Sequence, residues 1–232
     1  MTRAEELATA LEAVRERIAT ACAEAGRDPS GVALTVVTKF FPASDVRHLA
    51  GLGVTDVAEN RHQEAQDKAG ELADLALRWH FVGGLQSNKA AAVAGWADVV
   101  QSVDRAKLVA PLARGAQRAG REIDVLLQVG LDPDAAANRS GAAPGEVPAL
   151  AAAVADAEGL RLGGLMAVAP REGDPAPAFA RLRELHDELL VDHPGATELS
   201  AGMSHDLEAA LAAGATRLRV GSAILGSRPA VA

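Results

Sequence analysis

The segment VALTVVTKFFPASDVRHLAGLGVTDVAEN, residues 32–60, contains one complete strand–helix–strand unit. An apolar, β-branched run at residues 33–39 is followed by a polar turn and a helical stretch, and Gly53 precedes the next short run at residues 56–59. A glycine in this place is typical of a helix that ends in left-handed backbone geometry. The segment therefore predicts two parallel strands joined by a right-handed helical crossover.

This unit recurs through the rest of the chain. The predicted strands span residues 33–39, 56–59, 78–82, 98–102, 124–129, 162–168, 198–201 and 217–220, and Gly120, Gly159 and Gly214 precede later strands as Gly53 precedes the second. Eight strands that alternate with helices predict an α/β fold, a single (β/α)8 TIM barrel that occupies residues 1–232 as one domain. The alternative is a doubly wound open sheet, but no GxGxxG motif follows the first strand.

An additional helix precedes the first strand. Apolar side chains recur at Leu7, Leu11, Val14 and Ile18, which is the spacing of one helix face. Thr2 followed by Glu5 has the form of a capping box at the start of this helix. We therefore predict a barrel with an extra N-terminal helix.

The composition argues against several classes of partner and location. The net charge is −8, aromatic residues make up 3%, and there is no basic block, so no nucleic acid is expected as a partner. No apolar run reaches the roughly 18 residues of a membrane-spanning helix, and the N-terminus does not resemble a signal peptide, so no membrane is expected. Cys22 is the single cysteine, which fits a reducing, cytoplasmic location.

Lys39 ends the first predicted strand in a chain with four lysines and nineteen arginines. In a barrel of this kind the active face lies at the carboxyl ends of the strands. A lysine amine there can act as a Schiff-base nucleophile, a role that arginine cannot take because it stays protonated. The alternative is a lysine that only extends its charged head to solvent at the barrel mouth.

Small-residue turns follow the last two predicted strands, at Gly202-Met203-Ser204 and at Gly221-Ser222. In many TIM barrels the loops after strands seven and eight bind a phosphate group. Such turns present backbone N–H groups to an anion, and the two serines add hydroxyl donors. Each serine could instead be only a helix N-cap.

Arg219 falls inside predicted strand eight, on the same side as Gly221. An arginine there needs a partner, either a ring nitrogen of a ligand beside the phosphate or an ion pair with Glu59. A Schiff-base lysine, a phosphate site and a ring-nitrogen partner are together what pyridoxal 5′-phosphate (PLP) requires. A lysine-dependent aldolase acting on a phosphorylated sugar would also need a lysine and a phosphate site, with Glu59 as its acid–base group.

Longer motifs carry a family resemblance. They are VVTKFFPA (36–43), AEN (58–60) followed by QE (63–64), WHFVGGLQSNK (79–89), NRSG (138–141), GGLMAVAP (163–170) and LSAGMSHDLEAALAAGATRLRVGSAILG (199–226). With these motifs the sequence resembles, over nearly its whole length, the YggS/PROSC family of pyridoxal phosphate homeostasis proteins. That family shares the barrel of the alanine racemase-like, fold type III enzymes.

The resemblance implies cofactor-binding roles for particular residues. Lys39 would hold PLP covalently as a Schiff base, and Arg219 would face the pyridine nitrogen. The other implied positions are Asn60 near the ring, Ser204, Gly221 and Ser222 at the phosphate, and His80 and Met203 lining the site. Two positions depart from the family pattern: Ala58 replaces a glycine, and Arg139 replaces a lysine and cannot accept the cofactor as a lysine could.

No catalytic residue and no metal ion are expected. Alanine racemases of this fold need a tyrosine as a second base, and the chain has no tyrosine. Arg219 would also leave the pyridine nitrogen unprotonated, which weakens the ring as an electron sink. With these points, the resemblance implies a non-enzymatic protein of vitamin B6 and amino-acid homeostasis that buffers PLP or delivers it to apo forms of PLP-dependent enzymes. We expect a monomer, because the chain lacks the added β domain through which alanine racemases dimerise. The alternative is a weak racemase-like PLP enzyme acting on a small amino acid.

Overall fold

Eight parallel strands form a closed barrel in the computed structural model, which describes residues 1–131, 141–170 and 172–227. The strands are β1 (Ala33–Val37), β2 (Asp56–Glu59), β3 (Arg78–Phe81), β4 (Val99–Val103), β5 (Ile123–Gln128), β6 (Leu160–Met166), β7 (Glu198–Ser200) and β8 (Arg217–Val220). Each strand pairs with its neighbours in chain order, and β8 pairs with β1. The predicted TIM barrel is confirmed, and the open-sheet alternative is wrong.

Nine α-helices lie in the described ranges of the chain. They are α1 (Arg3–Glu24), α2 (Ala43–Gly51), α3 (His62–Glu71), α4 (Ser87–Val93), α5 (Val109–Arg118), α6 (Val147–Ala155), α7 (Ala176–Asp192), α8 (Leu207–Ala212) and α9 (Ser222–Leu225). Thr2 and Glu5 form the predicted capping box of α1, whose predicted apolar face is buried. None of these described helices has the length and apolarity needed to cross a lipid bilayer.

The observed strands agree with the predicted ones to within two residues, and β2 and β8 agree at both ends. Gly53, Gly120, Gly159 and Gly214 have φ angles between 64° and 95°, as expected for residues that end helices. β1 ends at Val37, two residues earlier than predicted, because the chain turns at Lys39 and at Phe40, whose φ is 72°.

Charged side chains occupy the barrel interior near the amino ends of the strands. Arg217 forms 2.8 Å ion pairs with Asp56 and Glu198, and Arg78 pairs with Asp124. Val99, Leu126 and Met166 form a separate apolar cluster inside the barrel. The interior is therefore a packed core that supports the carboxyl end, as is typical of TIM barrels.

Candidate functional site

Lys39 lies two residues beyond the end of β1, at the carboxyl end of the barrel. Its side chain is half-buried, and its Nζ is 5.9 Å from the centre of the Phe40 ring. The guanidinium of Arg61 lies 5.3 Å from the same ring centre. Phe40 has a positive φ, which residues other than glycine rarely adopt, so its surroundings must hold this backbone in place. The lysine is therefore carried by a constrained turn.

Thr38, directly before Lys39, is fixed by hydrogen bonds at its N–H, its hydroxyl and its carbonyl. Its N–H donates to Ala58 O at 2.9 Å, its hydroxyl donates to Glu59 Oε1 at 2.7 Å, and its carbonyl accepts from Lys68 Nζ at 3.1 Å. Lys68 and Glu59 also pair with each other at 2.5 Å, and the Glu59 side chain is almost completely buried. This arrangement anchors the backbone from which the Lys39 side chain extends.

Asn60 follows β2 and alternates with Asp56 and Ala58 on the inner side of the barrel. Its Oδ1 is buried and has no hydrogen-bond partner among the described residues. The loop after β3 approaches closely, since a Cβ at Gly83 would lie 2.2 Å from the Asn60 carbonyl oxygen. A buried amide oxygen without a partner is costly, so Asn60 is a candidate to accept a hydrogen bond from a ligand.

Ser204 and Ser222 meet in space, although they belong to different loops. Ser222 Oγ lies 3.2 Å from Ser204 Oγ, and the Ala223 N–H donates to Ser204 Oγ at 3.3 Å. Neither serine is an N-cap, because α8 has Asp206 and α9 has Gly221 in that position. The N-cap alternative is therefore wrong for both. The two hydroxyls and the first turn of α9 form a polar cluster, which we call the serine cluster.

Gly221 places the serine cluster beside β1. A Cβ at Gly221 would lie 3.1 Å from the carbonyl oxygen of Val37, two residues before Lys39. The serine cluster and Lys39 therefore follow neighbouring strands, β8 and β1. Met203 lies in the loop after β7, is 36% exposed, and donates its N–H to Asp206 Oδ1 at 2.6 Å.

The N-terminal helix α1 supports both loops of the serine cluster. Arg17 donates to the carbonyl of Ser204 at 3.2 Å and pairs with Glu208 of α8 at 2.7 Å. Arg3 donates to the carbonyl of Leu225 at the end of α9, at 3.0 Å. The extra helix is thus tied to the two segments that carry the serines.

Arg219 is buried, with 4% of its surface exposed. Its guanidinium donates to Ser200 Oγ at 2.7 Å and to Ala167 O at 2.8 Å, and within the described ranges it forms no ion pair with a carboxylate. The alternative pairing with Glu59 is wrong, because Glu59 is bonded to Lys68. Burial lowers the pKa of Arg219 to about 10, so the side chain is still a cation at neutral pH. The charge of Asp206 offsets only part of the effect of burial, and both hydrogen-bond acceptors of the guanidinium are neutral. Such a buried cation is costly, which suits a site completed by a ligand.

His80 is fully buried inside the barrel. Its Nε2 lies 2.8 Å from Asp56 Oδ1, and its Nδ1 lies 2.8 Å from Gln101 Nε2. Burial lowers the pKa of His80 despite the opposing effect of Asp56, so the ring is neutral at pH 7. Both ring nitrogens have protein partners, and a direct contact between His80 and a cofactor stays a prediction.

Several residues of this site were not predicted from the sequence: Thr38, Lys68, Gln101 and Ser200. Gln101 interrupts the apolar strand VVQSV, and a polar residue in a buried strand is a signal that could have identified it. The short strand ELS gives no comparable signal for Ser200. Asn138, Arg139 and Ser140 of the NRSG motif lie outside the described residues.

A family model named "Alanine racemase, N-terminal domain" matches residues 9–229. The chain belongs to this family. Within the alanine racemase N-terminal domain family, the pyridoxal phosphate homeostasis protein of Mycobacterium tuberculosis is 42% identical over 245 residues, which cover 97% of this chain and 94% of that protein. The resemblance that the motifs indicated is therefore confirmed.

Two solved structures relate to the fold of this family member. PipY of Synechococcus elongatus, solved with PLP bound, has a TM-score of 0.80 at 36% identity and covers 95% of this chain and 100% of PipY. The alanine racemase of Streptomyces coelicolor has a TM-score of 0.77 at 20% identity, and the match covers 95% of this chain but 58% of the racemase. The likeness to the racemase shows the shared barrel alone.

Proposed function

We propose that this family member binds PLP covalently through Lys39 and acts in intracellular vitamin B6 and amino-acid homeostasis by buffering or delivering the cofactor. The observation that carries the proposal is Arg219, a buried cation near the serine cluster that has only neutral acceptors among the described residues. A guanidinium in this place suits the unprotonated ring nitrogen of PLP. The PLP bound in PipY, a protein of the same fold at 36% identity, supports the same assignment.

Each part of PLP has a matching group in this chain. PLP supplies an aldehyde that condenses with a lysine amine with loss of water, and Lys39 is the proposed amine. Arg219 donates to the ring nitrogen. The other proposed contacts are Ser204, Gly221 and Ser222 with the phosphate, and Asn60, His80 and Met203 around the ring.

We propose a binding role without robust catalytic turnover. The chain has no tyrosine to serve as the second base of a racemase. A guanidinium in the Arg219 position would leave the ring nitrogen unprotonated, and such a ring is a weaker electron sink. A PLP-free aldolase is not favoured, because its required carboxylate, Glu59, is buried and bonded to Lys68.

A weak PLP enzyme acting on a small amino acid is the second candidate, and the match of residues 9–229 to the alanine racemase N-terminal domain family favours it. Steady-state assays with a panel of amino acids distinguish the two candidates. The binding role predicts turnover no greater than that of free PLP. Turnover well above that of free PLP, and lost in Lys39→Ala, would show that the protein is an enzyme.

The first test is the site of covalent attachment. Wild-type protein incubated with PLP and reduced with borohydride should carry a pyridoxyl group on the peptide that contains Lys39. Lys39→Ala should abolish the visible absorbance of the complex and the modification. Lys107→Ala removes an exposed lysine and is the matched control, which should behave like wild type. A colourless wild-type protein, or modification of another lysine instead, would contradict the proposal.

Delivery is tested by mixing the PLP-loaded protein with an apo form of a PLP-dependent enzyme. Activation faster than with the same concentration of free PLP supports direct delivery, and activation no faster than with free PLP supports buffering alone. The monomeric state and the cytoplasmic location also remain proposals, which light scattering and cell fractionation can test.

A further inference from the structure

A chain of side-chain hydrogen bonds crosses the barrel interior from Arg219 to Asp56. Arg219 Nη1 lies 2.7 Å from Ser200 Oγ, and Ser200 Oγ lies 2.7 Å from Gln101 Oε1. Gln101 Nε2 lies 2.8 Å from His80 Nδ1, and His80 Nε2 lies 2.8 Å from Asp56 Oδ1. The three central side chains are fully buried. We call this arrangement the interior chain.

The chemistry of the groups fixes the direction of every bond in the interior chain. Arg219 can only donate, so the Ser200 hydroxyl accepts from it and donates its own proton to the carbonyl oxygen of Gln101. The amide nitrogen of Gln101 can only donate, so His80 Nδ1 accepts and carries no proton. The remaining ring proton is then on Nε2 and is donated to Asp56. All four bonds therefore run from the cation toward the carboxylate.

Asp56 is an ionised end point for the interior chain. Its Oδ1 also lies 2.8 Å from Arg217 Nη1. Burial raises the pKa of Asp56, but the hydrogen bond from His80, the hydrogen bond from Thr55 and the charge of Arg217 outweigh burial and hold it below its usual value. Aligned hydrogen bonds in a low-dielectric interior polarise one another, so Asp56 strengthens Ser200 as an acceptor for Arg219.

The interior chain also restricts the orientation of the Arg219 guanidinium. One guanidinium nitrogen is bonded to Ser200 and another to the carbonyl of Ala167. A planar guanidinium held at two nitrogens cannot rotate without breaking these bonds, so the direction of its remaining N–H groups is fixed.

We propose that Ser200, Gln101 and His80 are positioning residues, which orient Arg219 toward the ring nitrogen of PLP and connect it to Asp56 through hydrogen bonds. This inference rests on the proposed PLP-binding function. Ser200 and Gln101 need not touch a reacting atom, and their effect on the cofactor acts through Arg219. His80 acts through Arg219 in addition to its proposed contact with the ring.

The test compares two serines that are both buried. Ser200→Ala breaks the interior chain. Ser102→Ala is the matched control, because Ser102 is 1% exposed and its hydroxyl has no partner among the described residues. Each protein is titrated with PLP and with 1-deaza-PLP, in which a C–H group replaces the ring nitrogen. Dissociation constants are measured by absorbance, and folding is checked by circular dichroism and urea unfolding.

We expect Ser200→Ala to weaken PLP binding about tenfold, the typical effect of losing one hydrogen bond to a charged group. Binding of 1-deaza-PLP should change less than about twofold on the same reasoning, because the analogue cannot accept a bond from Arg219. Ser102→Ala should leave both constants close to those of wild type. Gln101→Met interrupts the interior chain at its centre and should likewise weaken binding of PLP more than binding of 1-deaza-PLP. This variant replaces Ser200→Ala in the test if Ser200→Ala does not fold.

A loss of equal size for PLP and 1-deaza-PLP would overturn the inference, since it would mean a general structural role. Unchanged or tighter PLP binding in both interior-chain variants would also overturn it. If wild-type protein binds neither compound, the proposed function itself fails, so the two failures can be told apart.

Discussion

Glu59 and Lys68 form an ion pair that is removed from solvent beneath the Lys39 turn. Their side chains are 1% and 11% exposed, and the two charged groups are 2.5 Å apart. Glu59 Oε1 also accepts from the hydroxyl of Thr38, whereas its Oε2 is buried without a partner among the described residues. Glu59 Oε1 therefore accepts hydrogen bonds both from Lys68 and from Thr38, the residue that precedes Lys39.

Glu59→Gln is expected to lower the free energy of unfolding by about 3 kcal/mol, because removal of one member of a buried pair leaves the other charge uncompensated. Urea denaturation measures the change. Asp74→Asn is the matched control, since it neutralises an ion pair with Arg47 in which both side chains are about half exposed. Its unfolding free energy should stay within experimental error of wild type. Equal losses in both variants would mean that burial of the Glu59 pair has no special effect.

The sequence predicted single residues well where a local pattern determines their place. Arg219 lies inside β8 as predicted, and Lys39 lies at the carboxyl end of the barrel as predicted but two residues beyond β1, because alternation along a strand can be recognised from neighbouring residues whereas the exact end of the strand cannot. The contact between Ser200 and Gln101 joins residues 99 positions apart. It depends on barrel closure and strand register, which local patterns do not specify. Glu59 and Lys68 are close in sequence but belong to two elements, β2 and α3, and the pattern within each element does not specify how the two elements are oriented. The sequence therefore did not distinguish this pairing from one with Arg219.

Helix α1 is the element that lies outside the repeating strand–helix pattern, and it contacts the segments that carry the serine cluster. The periodic face and the capping box were predictable because each depends on residues within the helix. The contact of Arg17 with the Ser204 carbonyl was not predictable, because it joins residues 187 positions apart. The extra helix therefore fixes one wall of the proposed phosphate site.

Arg17→Ala is expected to increase the rate of PLP release about three- to tenfold, because the Ser204 carbonyl loses a charged donor and its loop becomes less restricted. Release can be followed by transfer of PLP to an excess of a trapping apo-enzyme. Arg15→Ala is the control on the same helix, since Arg15 donates to the carbonyl of Leu52 at the end of α2, away from the serine cluster. Equal release rates for the two variants would exclude a specific role of Arg17.

At the scale of the whole molecule, four titratable side chains that are buried or largely buried have lowered pKa values: Asp56, His80, His186 and Glu198. Burial lowers the pKa values of His80 and His186. Burial alone would raise the pKa values of Asp56 and Glu198. For Asp56 the hydrogen bond with His80 is the main opposing effect, and for Glu198 it is the hydrogen bond with Arg217. In both residues the opposing effects outweigh burial, so the pKa values are lowered. The unfolded chain then binds more protons than the folded one below each group's unfolded pKa, so acid destabilises the fold.

The free energy of unfolding should therefore fall between pH 7.5 and 5.5, as the histidines pass the unfolded pKa of about 6.5. A second fall should begin near pH 4, where unfolded carboxylates take up protons. Each histidine can contribute up to about 1.4 kcal/mol per pH unit. Urea unfolding of His186→Gln should show a smaller loss over the first interval, and exposed His48→Gln is the control. An unchanged loss in His186→Gln would refute the assignment.

The pairing of β8 with β1 has a consequence for the order in which a newly made chain gains its ligand. Arg217 of β8 bonds to Thr35 of β1 across 182 positions of sequence. During synthesis the amine of Lys39 leaves the ribosome directly after β1, whereas Arg219 and the glycine–serine pair at 221–222 emerge only after seven further strands have begun. A nascent chain thus offers a nucleophile long before it offers the groups proposed to hold phosphate and ring. If the cofactor is held as proposed, its stable capture must wait until β8 has been made and has paired with β1.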